Sequence, residues 1–163
     1  MILMKIWFHI MAIIKKIFYK IIYGNRLSTG KNTTWRRNFL VMLDDDGKVS
    51  IGDNCFFNND CTIGANKLVE IGEGTIFGEN VKIYDHNHKF ADLKKNIKEQ
   101  GFSNGTVHIG RHCWIGSNVC ILKNANIGNN CVIGAGCVIS RKIGDNTIVK
   151  INSENQYIEE TIY

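Results

Sequence analysis

The chain has 163 residues, with 20 Lys and Arg against 15 Asp and Glu, so its formal net charge is +5. This length fits one domain. Basic residues run through the whole chain without an RNA- or DNA-binding motif around them, so we expect no nucleic-acid partner. The six cysteines show no CxxC spacing and no secretory signal precedes them, which predicts reduced thiols in a cytoplasmic protein.

Residues 1–23 predict an amphipathic α-helix. Apolar residues cover most of its circumference, and the polar stripe consists of Lys5, His9, Lys16 and Lys20, with Lys15 beside it. The longest stretch without Lys or Arg has nine residues, whereas a bilayer span needs about 20. Two interpretations stay open: the helix packs on the rest of the chain or on a neighbouring subunit, or it lies on the inner membrane surface with its lysines toward anionic lipid.

A connector, residues 24–48, leads into a run of six-residue repeats. The repeated position is Ile at eleven of fourteen places, and Gly follows it at nine of them; the positions are 51, 57, 63, 71, 77, 83, 109, 115, 121, 127, 133, 139, 143 and 149. Neither an α-helix nor a flat strand has this period. The repeat predicts an all-β parallel solenoid over residues 24–152, with three hexads per triangular turn and residues eighteen apart stacked, followed by a tail at 153–163.

Two further features of the hexad concern small residues. Glycine after the repeated residue suits a corner that needs an unusual backbone conformation or a close approach of the next coil. The small position four places on is often cysteine, at 55, 61, 113, 131 and 137, and we interpret these thiols as compact core hydrophobes.

The repeat is interrupted between Ile83 and Ile109. Residues 84–106 therefore predict an extruded loop, and the loop begins with Tyr84, Asp85, His86, Asn87 and His88 in sequence. Two of the five histidines thus stand where the loop leaves the solenoid.

The hexads, together with Trp114-Ile115-Gly116-Ser117 and Ile133-Gly134-Ala135-Gly136, resemble the left-handed β-helix acyltransferases of the hexapeptide-repeat family, in the galactoside, xenobiotic and capsule O-acetyltransferase branch. The resemblance covers about residues 40 to 150. It implies a left-handed coil and a homotrimer with each active site between two chains. It also implies transfer of an acetyl group from acetyl-CoA to a hydroxyl of a saccharide, in capsule, lipopolysaccharide or exopolysaccharide synthesis.

The same resemblance suggests roles for the loop residues. His88 matches the general base of these enzymes, with His86 as a second candidate, and Asp85 or a backbone carbonyl would fix the tautomer of the histidine. An imidazole with a pKa near 6.5 can take the proton of an attacking hydroxyl at neutral pH and pass it to the departing thiolate. Asn87 and Trp114 would contact the acceptor.

On the coenzyme side, Ser117 and Ala135 match positions that offer backbone groups to the pantetheine arm. Ser140 and Arg141 match a Thr-Lys pair at the nucleotide end, and Arg141 and Lys142 suit the phosphates. No metal is expected. The usual Gly-x-Pro turn near the adenine is absent, because residues 151–155 read Ile-Asn-Ser-Glu-Asn.

Three alternatives compete with this interpretation. The acceptor could be an amine of an amino sugar or a small amino compound. A γ-type carbonic anhydrase shares the solenoid and would bind zinc through histidines drawn from His86, His88, His108 and His112. A solenoid without activity could serve as a scaffold, although His88, Trp114 and Ser117 together argue against this.

Overall fold

The computed structural model describes residues 2–44, 46–151 and 157–161. The chain starts with helix α1 (Ile2–Tyr23) and a 3₁₀ turn (Gly24–Arg26), and then winds into a parallel β-solenoid. The first coil holds β1 (Leu27–Thr29), β2 (Thr34–Trp35) and β3 (Leu40–Leu43). The second holds β4 (Lys48–Ile51), β5 (Phe56–Phe57) and β6 (Thr62–Ala65), and the third β7 (Leu68–Ile71), β8 (Ile76–Phe77) and β9 (Lys82–Tyr84).

An excursion between the third and fourth coils contains β10 (His86–His88), a 3₁₀ helix (Ile97–Gln100) and β11 (Phe102–Asn104). The fourth coil holds β12 (Thr106–Ile109), β13 (Trp114–Ile115) and β14 (Cys120–Ile121). The fifth holds β15 (Asn126–Ile127), β16 (Val132–Ile133) and β17 (Val138–Ile139). The chain ends with β18 (Lys142–Ile143), β19 (Thr147–Ile151) and β20 (Tyr157–Thr161).

These strands form three faces of a prism. Face A contains β1, β4, β7, β12, β15 and β18; face B contains β2, β5, β8, β13, β16 and β19; face C contains β3, β6, β9, β14 and β17. Neighbouring strands of a face are parallel, and Ile109 pairs with Ile127, Ile115 with Ile133 and Ile121 with Ile139. The predicted stacking of residues eighteen apart is therefore confirmed. We name the bends after the faces they join, as corners A–B, B–C and C–A.

The repeated residues fill the interior. All fourteen repeated positions are buried, at 4% exposure or less. Towards the N-terminal end the column continues in aromatic rings, with centroid distances of 4.6 Å from Phe39 to Phe57 and 4.3 Å from Phe57 to Phe77. Because each coil exposes its interior to the next, stacking buries what a single coil cannot. The predicted all-β solenoid, with an N-terminal helix and one extruded loop, is confirmed.

Glycine and asparagine have different roles at the corners of the solenoid. Gly110 and Gly116 follow repeated isoleucines, and a Cβ on either would lie 2.4 Å from Gly128 O or 2.6 Å from Ala135 N. These glycines are there for close approach. The left-handed conformation falls instead on the residue two places later, which at most corners is not glycine; Asn54 and Asn118 are examples, with φ of 55° and 60°. Asn80 and Asn118 also join successive coils through a 2.9 Å side-chain hydrogen bond.

The cysteines at the small position are free and buried. Their thiols contact carbonyl oxygens of the next coil, with 3.1 Å from Cys113 Sγ to Gly128 O and 3.0 Å from Cys131 Sγ to Gly144 O. Burial raises the pKa of Cys113 to about 11. A protonated thiol is a weak donor, so these side chains fill space and satisfy a carbonyl at the same time.

Helix α1 covers the first coil with its polar face. The Lys15 ammonium donates to Phe39 O, and the buried Tyr19 hydroxyl accepts from Val41 N at 3.0 Å and donates to Phe39 O at 3.3 Å. Lys16 lies over the Trp35 ring, 5.7 Å from its centroid. Lys15 and Lys16 therefore face the solenoid. The membrane interpretation of the sequence had placed them outward, toward lipid. No described helix is long and apolar enough to cross a membrane.

The last strand closes face B differently from the rest. β20 pairs antiparallel with β19, with Thr147 opposite Thr161 and Ile151 opposite Tyr157. The expected tail at residues 153–163 thus contains a strand. Its predicted first residue lies outside the described residues, as do positions 152–155 of the missing Gly-x-Pro segment.

Candidate active site

The predicted loop is a short hairpin that leaves the solenoid at corner C–A, between β9 and β12. Strands β10 and β11 are antiparallel, and His86 lies opposite Asn104 and His88 opposite Phe102. The base is closed by a 2.7 Å hydrogen bond from Gly105 N to Asp85 O. The excursion therefore projects from one edge of the prism, and its position is fixed by the two coils that flank it.

Both histidines point to the same side of the hairpin because side chains alternate along a strand. The Phe102 ring packs against each of them, with centroid distances of 5.0 Å to His86 and 4.5 Å to His88. Asn87 lies between them in sequence and is exposed. The structure thus brings His86, His88 and Phe102 together. The sequence carried no signal for Phe102, since its pairing depends on a hairpin with no repeat.

Asp85 holds the root of this hairpin. Its carboxylate is fully buried and accepts hydrogen bonds from the backbone N–H groups of Asn66, Lys67 and Leu68, at 2.7–2.8 Å. The same carboxylate lies 3.0 Å from Nδ1 of His86. The sequence left open whether Asp85 or a backbone carbonyl fixes the histidine tautomer. In the structure Asp85 contacts Nδ1 of His86, which leaves Nε2 as the ring nitrogen that can accept a proton.

His88 stands in an open cleft on the outer side of the hairpin. The cleft is lined by residues of the excursion and by Lys123 from corner C–A of the fourth coil. Lys123 Nζ donates to Ser103 Oγ at 2.7 Å, which ties β11 to the coil below. His88 is exposed, whereas the His86 side chain is only 17% exposed. The imidazole of His88 is therefore accessible from the cleft.

The pantetheine residues predicted from the sequence lie at a different edge, corner B–C. Ser117 and Ala135 are stacked there on successive coils, and Gly136 N donates to Ser117 O at 2.9 Å. The Ser117 hydroxyl also accepts from Glu79 N at 3.1 Å. Trp114 begins the strand of face B that leads into this corner and is 56% exposed. A bare, exposed Ala-Gly pair next to an exposed indole leaves room for a flat ligand along the corner.

The residues predicted for the nucleotide end of the coenzyme lie at corner C–A of the fifth coil. Ser140 and Arg141 connect β17 to β18, which begins at Lys142, and all three are exposed. They share this edge of the prism with the hairpin. His88 and the group of Trp114, Ser117 and Ala135 lie on different edges, separated by the whole of face C. A single chain therefore does not bring the predicted base and the predicted pantetheine residues together.

The remaining histidines do not favour the carbonic anhydrase interpretation. His108 is on face A, where its Nδ1 lies 2.7 Å from Glu70 Oε2. His112 is at corner A–B in the left-handed conformation, against Gly74. Within the described residues, no three His, Cys, Asp or Glu side chains are grouped as metal ligands.

Comparison with known proteins agrees with this architecture. Residues 106–141 match the family model described as bacterial transferase hexapeptide (six repeats). The chain is 29% identical over 130 residues to the putative lipopolysaccharide biosynthesis O-acetyl transferase WbbJ of Escherichia coli K12, covering 76% of this chain and 66% of that protein.

Two solved structures are also similar. A maltose O-acetyltransferase from Clostridium difficile 630 has a TM-score of 0.64 at 29% identity, over 86% of this chain and 73% of that one. A galactoside acetyltransferase in complex with coenzyme A has a TM-score of 0.64 at 27% identity, over 81% and 66%.

The chain spans from about a third to two thirds of the length of the first curated relatives it matches, 34% and 66%. The residues matched by the family model, 106–141, include Trp114, Ser117, Ala135, Ser140 and Arg141 but not the hairpin. The repeat, the three-faced solenoid and these matches show that the chain carries the repeat and the solenoid fold of the bacterial hexapeptide transferases.

Proposed function

We propose that this protein is an acetyltransferase that moves the acetyl group of acetyl-CoA to a hydroxyl of a saccharide, with His88 as the general base. The observation that carries the proposal is the position of His88. It is an exposed imidazole in an open cleft, on an excursion that interrupts a solenoid of a family in which a related structure holds coenzyme A. A base must reach the acceptor, and His88 is the more exposed of the two histidines on the hairpin.

The proposed chemistry is direct transfer. His88 accepts the proton of the acceptor hydroxyl as its oxygen attacks the thioester carbonyl. The carbon–sulfur bond then breaks, and the protonated imidazole returns the proton to the departing thiolate, so that an acetyl ester and free coenzyme A leave. A positioned base contributes about 10²–10⁴-fold to such a step. Holding the two substrates together accounts for much of the rest.

The residues at corner B–C fit the pantetheine arm. Ala135 and Gly136 present exposed backbone without a bulky side chain, and Ser117 lies directly above them. Pantetheine carries two amide groups, which backbone donors and acceptors can match. Arg141 and Lys142 are exposed at the other edge of face C and would meet the anionic phosphates, with Ser140 beside them. Trp114 would stack on the acceptor sugar, and Asn87 would bind its hydroxyls.

The separation of the two edges supports a homotrimer. In a closed ring of three prisms, corner C–A of one subunit can lie against corner B–C of the next, which joins His88 of one chain with the pantetheine residues of its neighbour. We therefore propose three sites per trimer, each shared by two chains. The free buried thiols suit a reducing compartment, so the proposed place of work is the cytoplasm.

A coenzyme A release assay tests the proposal. Purified protein is incubated with acetyl-CoA and a panel of mono- and oligosaccharides, alongside the matching 2-amino sugars, and the free thiol is measured. Release with a neutral saccharide, with an ester found in the product by mass spectrometry, supports the proposal. Release only with amino sugars, giving an amide, would replace it with N-acetylation. No release with either class, in protein that binds coenzyme A, would overturn the choice of acceptor.

A further inference from the structure

Helix α1 is docked with its apolar side outward. The side that touches the first coil contains Ala12, Lys15, Lys16 and Tyr19. Twelve large apolar side chains on the rest of the helix, from Leu3 to Ile22, are 42–81% exposed. Amphipathic helices of globular proteins usually do the opposite and turn the apolar stripe to the core.

The exposed side chains form a continuous band. At 100° per residue they fill about half of the helix circumference, and a 22-residue helix is about 33 Å long. We name this surface the apolar band. Monomeric soluble proteins rarely expose a contiguous apolar surface larger than a few hundred Å², and such surfaces mark interaction sites. The band cannot simply rotate onto the solenoid, because that would release the buried Tyr19 hydroxyl from Val41 N and Phe39 O.

Cations border the band on both sides. On one side a groove runs between the helix and the first coil, lined by Trp7, Met11 and Phe18 and closed by Arg36 and Arg37. On the other side, Lys16 and Lys20 line a second groove with Ile17 and Ile21. The apolar side chains thus project furthest from the protein, and the positively charged side chains lie closer to the solenoid, along the two edges of the band.

The charge of the chain is concentrated at this end. The first 48 residues hold nine Lys and Arg and three Asp, a net charge of +6, whereas residues 49–163 hold eleven basic and twelve acidic residues, a net charge of −1. The first acidic residue in the chain is Asp44, so the whole of α1 and most of the first coil contain no carboxylate side chain.

We propose that α1 and the first coil form a membrane-docking surface. The apolar band enters the interface of a bilayer, and Arg36, Arg37 and Lys20 contact the headgroups of anionic lipid. An apolar face flanked by basic residues is the pattern of a helix that lies in the plane of the interface. This differs from the sequence-based idea of a lysine stripe turned to the lipid, because Lys15 binds the solenoid and the lipid meets the opposite face.

Charge and shape favour lipid over a protein partner. Protein interfaces combine an apolar centre with a polar rim that offers both signs of charge and hydrogen-bond partners. Here the border is cationic on both sides and lacks carboxylates, which matches a surface that is itself uniformly negative. Docked in this way, the prism would stand with its N-terminal end on the membrane and the hairpin away from it, between the third and fourth coils.

Vesicle sedimentation with the full-length protein tests the proposal. The probes are phosphatidylcholine vesicles with and without phosphatidylglycerol, at low and high salt. We expect wild-type protein to sediment with the phosphatidylglycerol vesicles and to be released by salt. The variant Ile10→Gln/Ile14→Gln removes two side chains of the apolar band and should lower the partition coefficient about tenfold or more. Its matched control is Leu93→Gln/Ile97→Gln, which removes two exposed apolar side chains of the excursion, away from the first coil, and should bind normally.

A second pair of readouts separates the contributions. Arg36→Gln/Arg37→Gln should weaken binding to phosphatidylglycerol vesicles and reduce the salt dependence, with helicity unchanged by circular dichroism. The proposal is overturned if wild-type protein binds neither kind of vesicle, or if the Ile10/Ile14 variant binds as tightly as wild type. If wild-type protein ignores vesicles and this variant has a smaller mass in analytical ultracentrifugation, a second copy of the chain covers the band instead. Coenzyme A release in solution is measured in parallel and is expected to be the same for all variants.

Discussion

Oδ1 of Asp85 lies 3.0 Å from Nδ1 of His86, while its carboxylate also accepts hydrogen bonds from three consecutive backbone N–H groups, those of Asn66, Lys67 and Leu68. This one side chain therefore joins the turn between the second and third coils to the first residue of the hairpin. The histidines are held in place by a contact to the solenoid and not by the hairpin alone.

We predict that Asp85→Ala lowers the free energy of unfolding by about 3 kcal/mol or more, because it leaves three N–H groups without their acceptor at a cost of about 1–3 kcal/mol for each buried group. Urea unfolding followed by circular dichroism measures it. Asp92→Ala, in the exposed part of the excursion, is the control and should change stability by about 0.5 kcal/mol or less. Equal stability of the two variants would mean that Asp85 does not anchor the hairpin.

The two histidines should separate in their effects. His88→Ala is expected to lower the turnover number about 10²-fold or more, with coenzyme binding and trimer mass unchanged, because a general base contributes about 10²–10⁴-fold. His86→Ala should cost less activity but lower the melting temperature, since it removes the imidazole that lies against the buried Asp85 carboxylate. His108→Ala, on face A, controls for loss of an imidazole. If His86→Ala is the inactive variant and His88→Ala is near normal, the Asp85–His86 pair is the base.

The solenoid could be predicted because the pattern of buried residues that specifies it recurs at a fixed spacing in the sequence. Each buried isoleucine repeats a spacing that only a coil satisfies, and all fourteen positions are buried as expected. The first coil was less visible, since Thr29, Trp35 and Val41 replace the isoleucines and the coil is longer, with Leu27 opposite Val49. The left-handed backbone conformation at Asn54 and Asn118 was not predicted, because the sequence analysis assigned the unusual corner conformation to the glycine two residues earlier.

Long-range contacts of the site were harder to foresee. Phe102 meets His88 through a pairing across an excursion with no repeat, and nothing local predicts that register. The contact between Asp85 and His86 depends on the fold of corner C–A, because neighbours in sequence do not always turn their side chains toward each other. The amphipathic pattern of α1 was visible, but its orientation was not, because the docking bonds of Tyr19 are made to backbone atoms of the first coil.

Because the pKa of Cys113 is raised in the folded protein, the free energy of unfolding should decrease at high pH. Burial raises its pKa to about 11, whereas a thiol in an unfolded chain ionises near 8.5. Between these values the unfolded chain has lost a proton that the folded protein keeps, so the free energy of unfolding decreases as pH rises through this window. Cys113→Ala should show a smaller decrease between about pH 8.5 and 11 than wild type, by urea titration. Cys120→Ala, at a half-buried position, is the matched control, and an identical slope for wild type and Cys113→Ala would contradict the assignment.

A site shared between subunits predicts complementation between two inactive variants. His88→Ala removes the base at corner C–A, and Ala135→Trp places a large ring where the pantetheine arm would lie at corner B–C. Each homotrimer should be inactive, and Ala135→Trp should also lose affinity for coenzyme A with an undisturbed fold. Leu93→Trp, at a 96% exposed position, controls for the added indole.

When the two variants are mixed and refolded together in equal amounts, random assembly places an intact His88 beside an intact Ala135 at a quarter of the interfaces. About a quarter of wild-type activity should therefore return, because a heterologous ring interface pairs one corner of each chain with the other corner of its neighbour. Coenzyme A release from the mixed trimers measures this. Mixing without refolding should restore none if the subunits do not exchange. Persistent inactivity of the refolded mixture, with its trimer mass confirmed, would place both groups of residues in sites that do not join, and the shared site would have to be abandoned.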